Sequence, residues 1–203
     1  ESQAYALSRK NAPDLLTYDS IQKVGIRWPL PNVWLGVSIE DQATLNERGP
    51  ILAEVPAAIR FISYEPALGR VDFCEALGIW WNQTRGEWWR TEQSTAHRWC
   101  DWLIAGGESG PGSRPFDLAW ARSAIAQCRA AGVPVFVKQL GSFPVYSEDD
   151  PGEPFGPGIG EDDKVAVMPG GKMYHRLTLK DRKGGDWDEW WFKDLRLREY
   201  PLS

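Results

Sequence analysis

Four residues capable of acid–base or ligand chemistry, Glu40, Glu65, Glu108 and Lys138, each follow directly or within two residues of a short apolar run. The runs are VWLGVSI (33–39), IRFISY (59–64), WLIAG (102–106) and VPVFV (133–137). A fifth, AYAL (4–7), leads into Ser8, Arg9 and Lys10. Glu65 and Glu108 can hold an amine or a ribose diol, or act as general acid and base. Lys138 can be a point charge for an anion or, if desolvated, a base or a Schiff-base amine. Gly106, Gly107 and Gly110 allow close backbone approach and can offer N–H groups to an anion. We take Glu65, Glu108 and Lys138 as candidate catalytic residues. Arg9, Lys10, Glu40, Gly106, Gly107, Ser109 and Gln139 are the candidate cofactor-binding residues. The loop GGESGPG matches neither the P-loop nor the dinucleotide fingerprint.

These groups meet only if the segments carrying them run side by side. The apolar runs, rich in β-branched and aromatic residues, read as buried strands, and segments with helical periodicity separate them. In DLAWARSAIAQCRAAG, Leu118, Ala121, Ala124, Ile125 and Cys128 share one face, and Arg122 and Arg129 turn to water. Asp117 is placed to cap that helix, and Gly132 and Pro134 to end it. PDLLTYDSIQKVG opens with Pro13 at a first-turn position. QATLNERGPILAEVP is helical in pattern, and Gly49-Pro50 predicts a kink or two short helices. Strand–helix alternation predicts a parallel sheet with crossovers, all strand carboxyl ends on one side. Glu40 and Asp41, just before a helix, are equally accounted for by the helix dipole. Glu65, followed by Pro66, is not.

The expected organisation is one α/β domain over 1–203, with a Trp-rich insertion at 76–100 and a loop-rich extension at 143–203. Within the insertion, IWWNQTRGEWW reads as a hairpin turning at Gly86. Most of the 12 tryptophans are expected to serve packing. The alternative makes Trp80, Trp81, Trp88 and Trp89, with Arg85, Arg90 and Arg98, a lid over single-stranded nucleic acid. SEDDPGEPFGPGIGEDDK (147–164) reads as an acidic surface loop, without EF-hand spacing. GGDWDEWWFKDLRLREYP reads as a short amphipathic helix and an extended tail. A net charge of −5 argues against a protein that coats duplex phosphates. Cys74, Cys100 and Cys128 form no CxxC pair, and scattered thiols fit a reducing, cytoplasmic compartment. With two histidines, a His-rich metal site is excluded. No apolar stretch spans a bilayer, so no membrane partner is expected. The first residues lack a signal-peptide layout and a Met start, which suggests a processed or truncated chain.

The blocks LPNVWLGVSIEDQ, AAIRFISYEPALGRVD, DWLIAGGESGPGSRP, CRAAGVPVFVKQLG and DRKGGDWDEWWFKDLRLREYP resemble a bacteriophage- and prophage-encoded family of three-cysteine-motif, radical-SAM-like proteins. The resemblance covers roughly residues 4–201 apart from the Trp-rich insertion. It implies a parallel-stranded partial TIM-type barrel. It also implies S-adenosylmethionine and a [4Fe–4S] cluster held by an N-terminal cysteine motif. That motif is not in this chain, so no cofactor is assigned to its own residues. The counterpart of YALSRKNAP puts Arg9 and Lys10 at the barrel mouth. Five parallel strands do not close a barrel. Their open edges would need a missing N-terminal segment, a partner chain or the Trp-rich insertion as cover. The resulting expectation is the C-terminal portion of a phage-type radical-SAM-like protein acting on a nucleotide or nucleic acid. Two alternatives stand beside it. One is a cofactor-free barrel hydrolase or lyase using Glu65, Glu108 and Lys138, and the other a non-catalytic nucleic-acid or protein binding module.

Overall fold

The computed structural model describes residues 28–91, 97–146, 165–167, 173–176, 195 and 197–201. In chain order its elements are β1 (Trp34–Ile39), α1 (Gln42–Glu54), β2 (Ile59–Tyr64), α2 (Cys74–Leu77), β3 (Trp80–Asn82) and β4 (Glu87–Trp89). Then come β5 (Trp102–Gly106), β6 (Phe116–Asp117), α3 (Leu118–Ala131), β7 (Val135–Gln139), β8 (Pro144–Tyr146), β9 (Val165–Val167) and β10 (Met173–Arg176). The AYAL run, Arg9, Lys10, the PDLLTYDSIQKVG segment and the 147–164 loop lie outside the described residues, as does the expected amphipathic helix near the end apart from Leu195.

Four apolar runs pair as one parallel sheet in the order β1-β2-β5-β7. The order follows the chain without reversal. The described strands form no closed barrel. Strand alternation sends Ile39, Ile62, Tyr64, Leu103, Ala105, Val135 and Val137 into a core shared with the helices. The opposite face carries Trp34, Phe61, Trp102 and Phe136 toward the amino ends. Trp102 is the hub, its ring centroid 5.8 Å from Trp34, 5.9 Å from Phe61 and 6.3 Å from Phe136. Gly36 admits this stacking, because a Cβ there would sit 2.3 Å from the Phe61 ring.

Local signals set the helices. Asp41 caps α1, its Oδ1 accepting from Thr44 N–H at 2.8 Å while Thr44 Oγ1 accepts from Asp41 N–H at 3.1 Å. The Thr44 backbone bond holds the Asp41 carboxyl below its ordinary value. Of the kink or two short helices expected at Gly49-Pro50, the second does not occur, since α1 runs as one helix with Pro50 inside it. A glycine before proline has no Cβ to meet the pyrrolidine ring, which removes one of the two usual obstacles. Asp117 caps α3 through Ala119 N–H at 2.9 Å, and Gly132 ends it at φ 66°. Leu118, Ala121, Ala124, Ile125 and Cys128 are all buried.

β3 and β4 form the hairpin, with Trp80 opposite Trp89 and Trp81 opposite Trp88. Trp88 packs against the core, while Trp80, Trp81 and Trp89 stay about half exposed. The expected irregular tail instead contributes β8, β9 and β10, which join β6 in a small sheet ordered β6-β8-β10-β9. Strands of three or four residues are too short to show alternation in the sequence. The final described segment runs antiparallel along β7, with Val137 N–H donating to Leu197 O at 2.9 Å and Glu199 N–H to Val135 O at 3.2 Å. This strap covers the outer edge of β7, a task expected of a missing segment, a partner or the insertion. No described helix is long and apolar enough to cross a membrane.

Candidate functional site

Parallel strands carry their carboxyl ends to one rim, and the turn Glu65–Gly69 ties that rim together. Ala67 N–H donates to Gly106 O at 2.9 Å, and Leu68 N–H to Glu40 O at 2.8 Å. The ends of β1, β2 and β5 are thereby fixed to one another. The Glu65–Pro66 peptide is cis.

Glu65 is the centre of the rim. Its Oε2 accepts from Lys138 Nζ at 3.1 Å and its Oε1 from Gln139 Nε2 at 2.8 Å. Gln139 Oε1 in turn accepts from Ser109 Oγ at 2.6 Å. Two consecutive residues of a regular strand cannot face the same group. Here they do, because the register slips between Ala105 and Gly106, pairing Ala105 with Val137 but Gly106 with Gln139. The extra residue is a β-bulge that re-aims Gln139. Gly106 leaves room for Glu65, since a Cβ there would lie 3.1 Å from Glu65 Cδ. Gly107 is required sterically, its Cβ position falling 2.5 Å from Leu140 O.

Glu108 has a different partner. Arg114 grips it with both ends of the guanidinium, Nε to Oε2 at 2.9 Å and Nη2 to Oε1 at 3.0 Å. Arg114 N–H adds a third bond, to Oε2 at 2.8 Å. Side-chain and backbone bonds from Arg114 hold the Glu108 carboxyl at about 2, well below its ordinary value. The same bond, with smaller charge contributions from Glu108 and Glu40, raises Arg114. The pair clamps the loop after β5, and Ser142 N–H donating to Glu108 O at 2.8 Å stitches that loop to the one after β7. An acid–base role for Glu108 requires Arg114 to move aside. The clamp was missed in the sequence. The available signal was an arginine six residues after the glutamate, across a Gly-Pro-Gly turn.

The structure thus joins Glu65, Lys138, Gln139, Ser109 and Gly106 in one network, with Glu108 and Gly107 on the adjoining loop. Glu40 stands at the end of β1, its N–H donating to Thr44 Oγ1 at 2.9 Å. Chemically the rim offers a half-exposed ammonium at Lys138, a hydroxyl at Ser109 and a carboxylate at Glu40.

A family model described as protein of unknown function (DUF5131) matches residues 3–194. The chain belongs to the DUF5131 family. The DUF5131 match spans every candidate site residue from Arg9 to Gln139 and stops short of the strap along β7. No curated protein and no solved structure matches this DUF5131 chain.

The cysteines of this DUF5131 chain do not fit a [4Fe–4S] cluster. Cys100 and Cys128 are buried in the core, and Cys100 Sγ donates to Trp102 O at 3.2 Å. Burial pushes the Cys100 thiol up to about 12 and Cys128 well above its ordinary value. Burial, then Asp72, raises Cys74 to about 12. Iron needs thiolates, which these sites disfavour. Among the described residues no group of three or more His, Cys, Asp or Glu is placed to hold a metal ion.

Proposed function

We propose that the chain is the C-terminal portion of a phage-type radical-SAM-like protein, and that its strand rim holds a nucleotide or nucleic-acid ligand. The observation that supports this best is the unreversed parallel order β1-β2-β5-β7 with Glu65, Lys138, Gln139 and Ser109 joined at its carboxyl end. A doubly wound sheet reverses its order at a switch point, whereas a barrel segment does not. On this reading the sheet is part of a partial TIM-type barrel in a cytoplasmic protein. Lys138 would meet a phosphate or carboxylate, Ser109 and Gln139 a base or sugar edge, and Glu40 a ribose diol. The iron–sulfur cluster would be held by residues outside these 203.

The test uses the full natural protein prepared without oxygen. Iron, sulfide and visible absorption are expected, together with S-adenosylmethionine binding that Lys138→Met weakens. Absence of all three cluster signatures would overturn the reading. A cofactor-free hydrolase or lyase has its own support in the Glu65–Lys138 pair, an acid and a base already 3.1 Å apart. It predicts iron-independent turnover that Glu65→Gln abolishes, and turnover unchanged in that variant counts against it.

A further inference from the structure

A second feature lies at the other end of the same strands. A cleft of about 580 Å³ opens at their amino ends, lined by Ile59 at the start of β2, by Asp101 just before β5 and by Pro134 just before β7. Strand rise puts Ile59 roughly 20 Å from the Glu65 rim. The cleft is an open groove rather than an enclosed pocket.

Arg98 and Arg129 face this cleft. The Arg129 side chain is exposed and makes no hydrogen bond or ion pair among the described residues. Among the described residues, the Arg98 guanidinium has a single 3.7 Å ion-pair contact, with Asp101. Arg90 stands at the lip, donating to Ala131 O at 2.7 Å beside Gly132, which lines the cleft. Two carboxylates are present too, and both are engaged by backbone. Asp101 Oδ2 accepts from Arg60 N–H at 3.0 Å and Glu199 Oε2 from Val135 N–H at 3.0 Å. Tyr200 forms one wall. Its ring is propped against Trp102 and Phe136 at 5.6 and 5.4 Å, yet the residue is 58 % exposed. Arginines from two separate chain segments beside a supported, exposed ring match the elements that grip a single strand, cations for phosphates and a π-face for a base.

We propose that this cleft binds single-stranded nucleic acid, with Arg98 and Arg129 on phosphodiesters and Tyr200 under a base. The proposal stands apart from the rim reading and holds whether or not the rim binds a nucleotide. It shares Arg98 with the Trp-hairpin lid but replaces the hairpin indoles and Arg85 with Arg129 on α3 and Tyr200 on the strap.

The test is fluorescence anisotropy of this chain with labelled 12-nucleotide DNA and RNA across a salt series. Two phosphate contacts predict a slope of log affinity against log salt of about −1.4, from about 0.7 per single-strand phosphate. Arg129→Gln, at an exposed position, is expected to flatten that slope by about 0.7. Adding Arg98→Gln should remove binding, and Tyr200→Ala should weaken it about tenfold. Arg85→Gln at the hairpin turn should leave affinity unchanged. No binding at low salt, or binding indifferent to Arg129→Gln but lost with Arg85→Gln, would overturn the proposal. So would a mononucleotide competing as well as the oligonucleotide at equal phosphate, since that is not recognition of a strand.

Discussion

Glu65, with 16 % of its side chain exposed, gives each oxygen to a different donor, whereas Lys138 keeps 56 % of its side chain in water. The two ends of this contact should therefore respond differently to mutation. Lys138→Met is expected to change stability by less than about 1 kcal/mol, because a half-exposed ion pair is worth little. Glu65→Leu should cost about 2 kcal/mol, because the Gln139 amide loses its acceptor in a part-buried place. Urea unfolding midpoints decide this, and equal costs would contradict it. The Glu108 clamp carries a pH signature. Its folded value, about 2, lies below the ordinary 4.5, so its contribution is complete above 4.5 and lost as pH falls through about 2. Carboxyl-carbon NMR should give a midpoint of about 2, moving toward 4.5 in Arg114→Gln, and a native midpoint at 4.5 would contradict the geometry. At this scale, strand ends were enough to nominate Glu65, Lys138, Gln139, Gly106 and Ser109. Which partner each would take was not legible, because a bulge chose Gln139 and a loop closure chose Arg114.

At the level of elements, α3 shows how far periodicity carries. Its apolar face was readable because Leu118, Ala121, Ile125 and Cys128 repeat at helical spacing. Gln127 breaks that pattern yet is 1 % exposed. Its Oε1 accepts from Phe73 N–H at 2.7 Å and its Nε2 donates to Val71 O at 3.1 Å. The partners lie 54 and 56 residues away, where no local pattern could announce them. Gln127→Leu leaves both backbone groups buried and unpaired, and should cost about 3 kcal/mol. A thermal or urea melt within error of the native chain would show that water or a backbone shift replaces the amide. Pro50 teaches the complementary point. The helix continues through it because the residue before it is glycine, and because Leu45, Gly49 and Leu52 hold both halves of α1 against their neighbours.

Across the molecule, parallel order and common strand polarity followed from alternation of apolar runs with helical segments. Edge protection did not. An extended tail was legible near residue 200, but its docking on β7 pairs residues some 60 positions apart. Arg198 reinforces it, donating to Val137 O and lying 4.6 Å over the Phe136 ring. Removing residues 197–203 should bare the β7 edge and part of the Trp102 ring cluster. We expect the shortened chain to self-associate with rising concentration in sedimentation velocity, at concentrations where the full chain does not. Superimposable profiles would show that the strap is dispensable. The bulge at the end of β7 bears on any attempt to move this polar cluster into another scaffold. Copying Lys138 and Gln139 onto an uninterrupted strand would seat one of them on the wrong side of the sheet. A successful graft must therefore import the broken rhythm itself, along with the glycine opposite it.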